Sequence, residues 1–232
     1  LTSTHKFCLA RPLDAEDGAA LTIITASGAD ANRVEWSVKQ TEPMANAFDT
    51  QKRDFMMNSW KTQYYKKASV GHIIGNGGWW GDAEMFEVVL DAYETTGNRE
   101  YLTMFDELYK NFCNRNNTDW SGNDYNDDIA WMCIACIRAY LMSGNTDYRD
   151  KAKSNFDKMY TRAYKYGDGT LIWCQNHEGK GPAGTNSCIN GPAAVCACYL
   201  GIAYNSESYF TKAKTIYTGE RAVLMEKNSD GS

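Results

Sequence analysis

The stretch "DDIAWMCIACIRAYLMSGNTDYRDKAKSNFDKMYTRAY" (residues 127–164) decides the fold. Its first half is apolar on nearly every side, which marks a buried helix. Ser143-Gly144-Asn145 then supplies a break, because glycine and asparagine accept the left-handed conformation that ends helices. Its second half is laced with Lys, Arg and Asp at helical spacing, the pattern of a helix with one wet face. A buried helix, a short turn and an amphipathic helix make an αα-hairpin.

The same unit recurs on both sides. "DAEMFEVVLDAYETTGNREYLTMFDELYKNFC" (82–113) breaks at Thr96-Gly97-Asn98. Gly97 and Gly144 are 47 positions apart, a spacing typical of stacked helical repeats. A looser copy, "GPAAVCACYLGIAYNSESYFTKAKTIY" (191–217), breaks at Asn205-Ser206. The segment 44–67, "MANAFDTQKRDFMMNSWKTQYYKK", reads as one further helix, on the outside of the stack. Residues 1–43 differ: β-branched runs and a Ser-Gly-Ala-Asp turn predict a short extended or hairpin-like lead-in, or the remnant of a preceding module. It is too short to bury a core of its own. The reading is therefore an all-α chain of αα-hairpins over 44–232.

Bulk composition excludes some functions. The net charge of -5 offers no basic footprint for nucleic acid or an anionic membrane surface. No stretch reads as the about 18 apolar residues that span a bilayer. The chain begins at Leu1 without a recognisable export signal. Of the eight cysteines, Cys133, Cys136, Cys196 and Cys198 fall in apolar helical runs and are expected to be buried thiols; no metal site is read from them, their spacing being unlike a zinc site. His5, His72 and His177 match no catalytic pattern. Seven Trp and fifteen Tyr, many in polar surroundings, point weakly to carbohydrate, whose C–H faces pack on aromatic rings.

The polar loops "GHIIGNGGWWGD" (71–82), "NRNNTDWSGNDYND" (114–127) and "YGDGTLIWCQNHEGKGPAGTNSCIN" (166–190) all precede inner helices. Hairpins stacked in register bring them to one face, where chemistry is expected. Asp127 and Asp128 stand there, at the start of the decisive helix. One reading is helix capping, since a helix start attracts negative charge. A calcium loop fails, because Ile129 and Ala135 stand where glycine and a bidentate glutamate are required. The other reading is an acid/base pair for glycoside cleavage. It requires their pKa values to be pushed apart, the helix start favouring one carboxylate while burial and its charged neighbour keep the other protonated.

"GNDYNDDIAWMCIACIRAY" (122–140) resembles the active-site segment of glycoside hydrolase family 76, the endo-α-1,6-mannanases, with an Asp pair followed after two residues by Trp. "NGGWWGDAEMFEVVLDAYETTGN" (76–98) resembles that family's tryptophan-rich loop, and "GTNSCINGPAAVCACYLGIAY" (184–204) its Asn-x-Pro-Ala-Ala segment. The resemblance implies an (α/α)6 barrel outside the cytoplasm (secreted, periplasmic or at the cell surface) that cleaves α-1,6-mannan with retention. Carried over by position, Asp127 is the nucleophile and Asp128 the general acid/base. Trp79, Trp80 and Trp131 line the sugar groove, with Asn76, Asp82, Tyr125 and Asn190 as polar contacts. No cofactor is implied. The partner implied is α-mannan or a manno-oligosaccharide, met by a monomer with no nucleic acid and no transmembrane segment.

A complete barrel of that kind has twelve helices. About seven are read here, so about 120–150 residues of barrel are expected to be missing, leaving one flank apolar and exposed. Weak or no mannanase activity is the expectation for this segment alone. Rival readings are a mannan transglycosylase-like enzyme, a non-catalytic mannan-binding protein, uronyl hydrolases and epimerases of the same barrel class, and a helical-repeat scaffold.

Overall fold

A computed structural model describes residues 21–25, 34–38, 50–74, 78–176 and 184–225. Strands β1 (Leu21–Thr25) and β2 (Val34–Val38) pair antiparallel, Leu21 opposite Val38. Helix α1 (Thr50–Tyr64) leads into a small antiparallel pair, β3 (Tyr65–Lys67) and β4 (His72–Ile74). Three helix pairs follow: α2 (Trp80–Thr96) with α3 (Glu100–Asn116), α4 (Asn126–Ser143) with α5 (Thr146–Ala163), and α6 (Ser187–Tyr204) with α7 (Glu207–Val223). Seven helices thus lie among the described residues.

The predicted breaks fall where the helices end. Gly97, Gly144 and Asn205 each sit in the left-handed region, and the Gly97 and Gly144 amides close onto Tyr93 O and Tyr140 O at 2.8 and 2.7 Å. The apolar helices form the inner layer, α4 packing on both α2 and α6, while α3, α5 and α7 cover them from outside. In α4 the run Ile129–Ala130 and Met132–Ile137 is buried whole, as a helix enclosed on all sides requires. The outer helices bury one stripe each, such as Tyr148, Ala152, Phe156 and Met159 on α5. Between the layers Phe86, Phe105, Phe112 and Trp120 are fully buried and meet edge to face at 5.6–6.2 Å, the favoured arrangement for aromatic quadrupoles.

The β3–β4 hairpin takes the last three residues of the expected helix 44–67 and the start of the expected polar loop 71–82. Gly71 turns it with φ of 59°, and Asn111 Nδ2 ties Val70 O to α3 at 3.0 Å. Two cysteine and membrane expectations also change. Cys133, Cys136 and Cys196 are buried, but Cys198 is exposed. It faces an apolar groove of about 530 Å³ along α6 and α7, beside Val195, Ile202 and Tyr217. Helix α6 is, by length and composition alone, apolar enough to cross a membrane; here it packs between α4 and α7.

Candidate active site

The inner helices start at one end of the stack, and α4 brings the two acids there. Its N-cap is Tyr125, in extended conformation, and no side chain caps the helix. Asp127 and Asp128 occupy the first turn without being caps. The helix start is anchored by Asn126, which is fully buried. Its backbone N–H donates to Trp173 O and its Nδ2 to Ile172 O, both at 2.8 Å. Its Oδ1 accepts from Arg162 Nε at 2.6 Å. Arg162, near the end of α5, also donates to Ser121 O at 2.8 Å and Asn123 O at 2.6 Å. One guanidinium therefore holds both the loop before α4 and the first residue of α4.

The segment carrying Trp173 is held from the other side. Tyr125 bridges to Cys174, and Gln175 N–H donates to Asp124 O at 3.0 Å. Gly169 and Gly219 let this segment touch α7 backbone to backbone: a Cβ on Gly169 would lie 2.7 Å from Thr215 O. Trp173 thereby comes beside Tyr125, ring centroids 5.1 Å apart.

Burial raises the pKa of both acids. For Asp127 the Trp173 indole and the backbone amides of Asp128 and Asp127 oppose that rise; its Oδ1 is buried and accepts no hydrogen bond of regular geometry. For Asp128 burial comes first. Asn123 Nδ2, donating to Oδ2 at 2.8 Å, opposes it, the Asp127 charge adds to it, and the Trp80 backbone opposes it. Both carboxyls are shifted in the same direction, upward. Neither carboxyl is held below its ordinary range.

The remaining residues divide into two groups. Trp80 is 61% exposed and Tyr125 41% exposed. Trp131 is half-buried and lies one turn beyond Asp127 on the same helix face. Trp79 is half-buried, its ring edge-on to Phe112 at 5.1 Å. Of these, Trp80 touches the pair, through its backbone at Asp128. Asp82 and Asn190, expected as sugar contacts, are instead buried struts. Asp82 Oδ2 accepts from Arg115 Nη2 at 2.6 Å. Asn190 Oδ1 accepts from Leu171 N–H and its Nδ2 donates to Asn186 O, both at 2.8 Å. The cap of α6 is Asn186. Asn76 lies outside the described residues. Asn123, Arg162 and Trp173 were not singled out in the sequence; only the tryptophan content of the 166–190 loop hinted at Trp173.

Below the mouth, Arg138 on α4 reaches Glu87 and Asp91 of α2 at 2.6 Å and Glu94 at 2.9 Å. The Glu87 arm is the sheltered one, at 17% exposure against 61% and 50%. It carries most of the stabilisation, exposed ion pairs contributing about 0–1 kcal/mol.

Buried inner helices, amphipathic outer ones and a mouth of acids and aromatic rings define the (α/α)6 barrel class, of which this chain forms part. Residues 44–232 match the family model of glycosyl hydrolase family 76, and the chain belongs to that family. Among solved structures it is similar to the GH76A α-1,6-mannanase of Salegentibacter sp. HEL1_6, at 26% identity and TM-score 0.65, covering 76% of this chain and 52% of that one. An inactive variant of that enzyme, with two consecutive aspartates replaced, in complex with α-1,6-mannotetrose, matches at 25% identity and TM-score 0.66 over the same shares. The unsaturated glucuronyl hydrolase of Bacillus sp. GL1 shares the fold at 15% identity and TM-score 0.59, covering 83% and 60%. The chain thus spans about half the length of the two mannanase structures. No curated protein matches.

Proposed function

We propose that this chain carries the catalytic centre of a retaining endo-acting hydrolase of α-1,6-mannosidic linkages. The observation that carries the reading is the carboxyl pair of α4, Asp128 buried and Asp127 half-buried, beside Trp80 and Trp173 in a family 76 fold. Asp127 and Asp128 are the only consecutive aspartates in the chain. In the Salegentibacter enzyme, the variant lacking two consecutive aspartates is inactive and is seen with α-1,6-mannotetrose.

In this reading the Asp127 carboxylate attacks the anomeric carbon as the bond to the glycosidic oxygen breaks. Asp128 gives that oxygen its proton, so the leaving sugar departs neutral. Asp128, now ionised, takes a proton from water; the water oxygen attacks the same carbon and releases Asp127. Two inversions retain the configuration. Trp80, Tyr125, Trp131 and Trp173 offer faces for the sugar rings. A polymeric substrate places the protein outside the cytoplasm.

The test is incubation of α-1,6-mannotetraose with a chain that carries the complete barrel, product anomers being followed by proton NMR. Asp127→Asn and Asp128→Asn are each expected to cut turnover by about 10²–10⁴-fold or more while leaving binding in place. Cleavage by both variants at the parental rate would sink the reading. Products longer than the substrate would assign transfer in place of hydrolysis.

A further inference from the structure

Asp127 has to be ionised to attack, yet no cation holds it so. Among the described residues no Lys or Arg is paired with it. The cations at this end of the stack are committed elsewhere: Arg115 to Asp82, Lys158 to Asp119 and Arg162 to Asn126. The charge it faces is Asp128, an acid like itself. What favours its carboxylate is neutral. The backbone amides of Asp127 and Asp128 do so at the helix start, and one side chain joins them, the Trp173 indole, whose N–H donates towards the carboxyl.

The two atoms concerned, Trp173 Nε1 and Asp127 Oδ1, are both shielded from water. A shielded N–H and a shielded carboxylate oxygen that meet satisfy each other, since neither can turn to solvent. Their geometry falls short of a regular hydrogen bond, as catalytic contacts often do in a free enzyme.

The indole is aimed by more supports than a sugar platform needs. Trp173 N–H donates to Gly184 O at 2.6 Å, and Trp173 O accepts from Asn126 N–H, one residue before Asp127, at 2.8 Å. On one side of it, Ile172 N–H donates to Ala163 O at the end of α5, at 3.0 Å. Leu171 N–H donates to Asn190 Oδ1 of α6, at 2.8 Å. On the other side Cys174 bridges to Tyr125, whose ring packs on the indole. Helices α4, α5 and α6 thus all fix one ring relative to one carboxyl, the arrangement a preorganised donor requires. A ring that only offered its face to sugar would gain nothing from an N–H buried against an acid.

We propose that the Trp173 indole N–H holds the Asp127 carboxylate in place for attack, which makes Trp173 the positioning residue of the nucleophile. The proposal rests on the retaining mechanism above, in which Asp127 attacks. Loss of a donor to the ionised form raises the pKa of a carboxyl. The first measurement needs no turnover: a carbon-13 NMR titration of the aspartate carboxyls in the 232-residue protein, with Asp127 assigned by Asp127→Asn. Two variants are compared with the parent. One is Trp173→Phe; the other has 3-benzothienylalanine in place of Trp173, a ring of the same shape with sulfur where the N–H stands. Both are expected to raise the Asp127 pKa by about one unit or more, the benzothienyl variant melting with the parent. In a chain that carries the complete barrel, the benzothienyl variant is expected to lower kcat on α-1,6-mannotetraose about tenfold with KM unchanged, because the ring face stays. The acidic limb of its kcat/KM profile moves up. An Asp127 pKa that stays put in the benzothienyl variant, even where Trp173→Phe moves it, overturns the proposal alone by reducing the shift to packing. A raised KM with unchanged kcat also overturns it, by making Trp173 a sugar platform only. Parental turnover by Asp127→Asn removes the nucleophile, and the positioning role with it.

Discussion

Replacing Arg162 with methionine is expected to destabilise the protein by about 3 kcal/mol, and the structure shows where the loss arises. Arg162 gives three hydrogen bonds of 2.6–2.8 Å, all to neutral amide oxygens. The acceptors are not equivalent. Ser121 is exposed, so its carbonyl returns to water at little cost. Asn123 is half-buried and pays part of the penalty. Asn126 is fully buried, and its orphaned Oδ1 costs about 1–3 kcal/mol, in addition to the about 1.5–3 kcal/mol typical of a hydrogen bond to a charged donor. For a chain of this size, about 3 kcal/mol corresponds to a melting-point fall of about 6–12 °C. Urea unfolding followed by tryptophan fluorescence measures it, with an unchanged slope showing that compactness is kept. Arg162→Lys keeps the charge but not the planar fork, and is expected to recover only a part. A loss under about 1 kcal/mol, the value of a single neutral hydrogen bond, or full recovery by lysine, refutes the clamp.

Two further outcomes follow from named contacts. Asn123→Ala removes a hydrogen bond that favours ionised Asp128, so the Asp128 pKa rises and the acid form survives to higher pH. The alkaline limb of the kcat/KM profile, which reports loss of the acid's proton, moves up; a downward move contradicts the assignment of Asp128. Arg115→Met strips the charged partner from Asp82, whose side chain is 4% exposed, leaving it the Gly78 backbone; breaking a buried ion pair in this way costs about 3–5 kcal/mol. Burial already holds the folded Asp82 pKa above 3.8, with Arg115 pulling it down. Without Arg115 it rises further, so the folded state holds the proton more tightly than the unfolded state. The penalty is therefore absent below about pH 4 and grows as pH rises towards neutral; denaturation midpoints at about pH 3.5 and about pH 7 are expected to show the variant's deficit only at the higher.

The hairpin stack was legible in the sequence because its code is local. Apolar spacing identified the inner and outer helices, and Gly97, Gly144 and Asn205 marked their ends within a residue. The β3–β4 hairpin was not legible. Its strands are three residues each, and the need for glycine at position 71 arises elsewhere: a Cβ there would lie 2.1 Å from Glu107 O. The exposure of Cys198 was hidden for a related reason. Helix α6 is apolar all round, so nothing in its pattern distinguishes the face packed on α4 and α7 from the face that borders the open groove.

At the mouth, residue type located the chemistry but did not assign the tasks. Asn126, Asn190, Asp82 and Asn123 are all short polar residues close to the acid pair or its flanking motifs, yet only contacts distant in sequence tell them apart. Asn126 is held by Ile172 and Arg162, 46 and 36 positions away, and Asn190 by Leu171, 19 away. Asn123 alone among them bonds an acid of the pair, at five positions. The motif around Asp127 and Asp128 therefore supplies two carboxyl groups at a helix start and little else. Their surroundings come from the loop before α4, the fork from α5 and the Trp173 segment braced on α7. Removing any one of these supports leaves the motif intact in sequence while changing the burial or the hydrogen bonds that set the raised pKa of each acid.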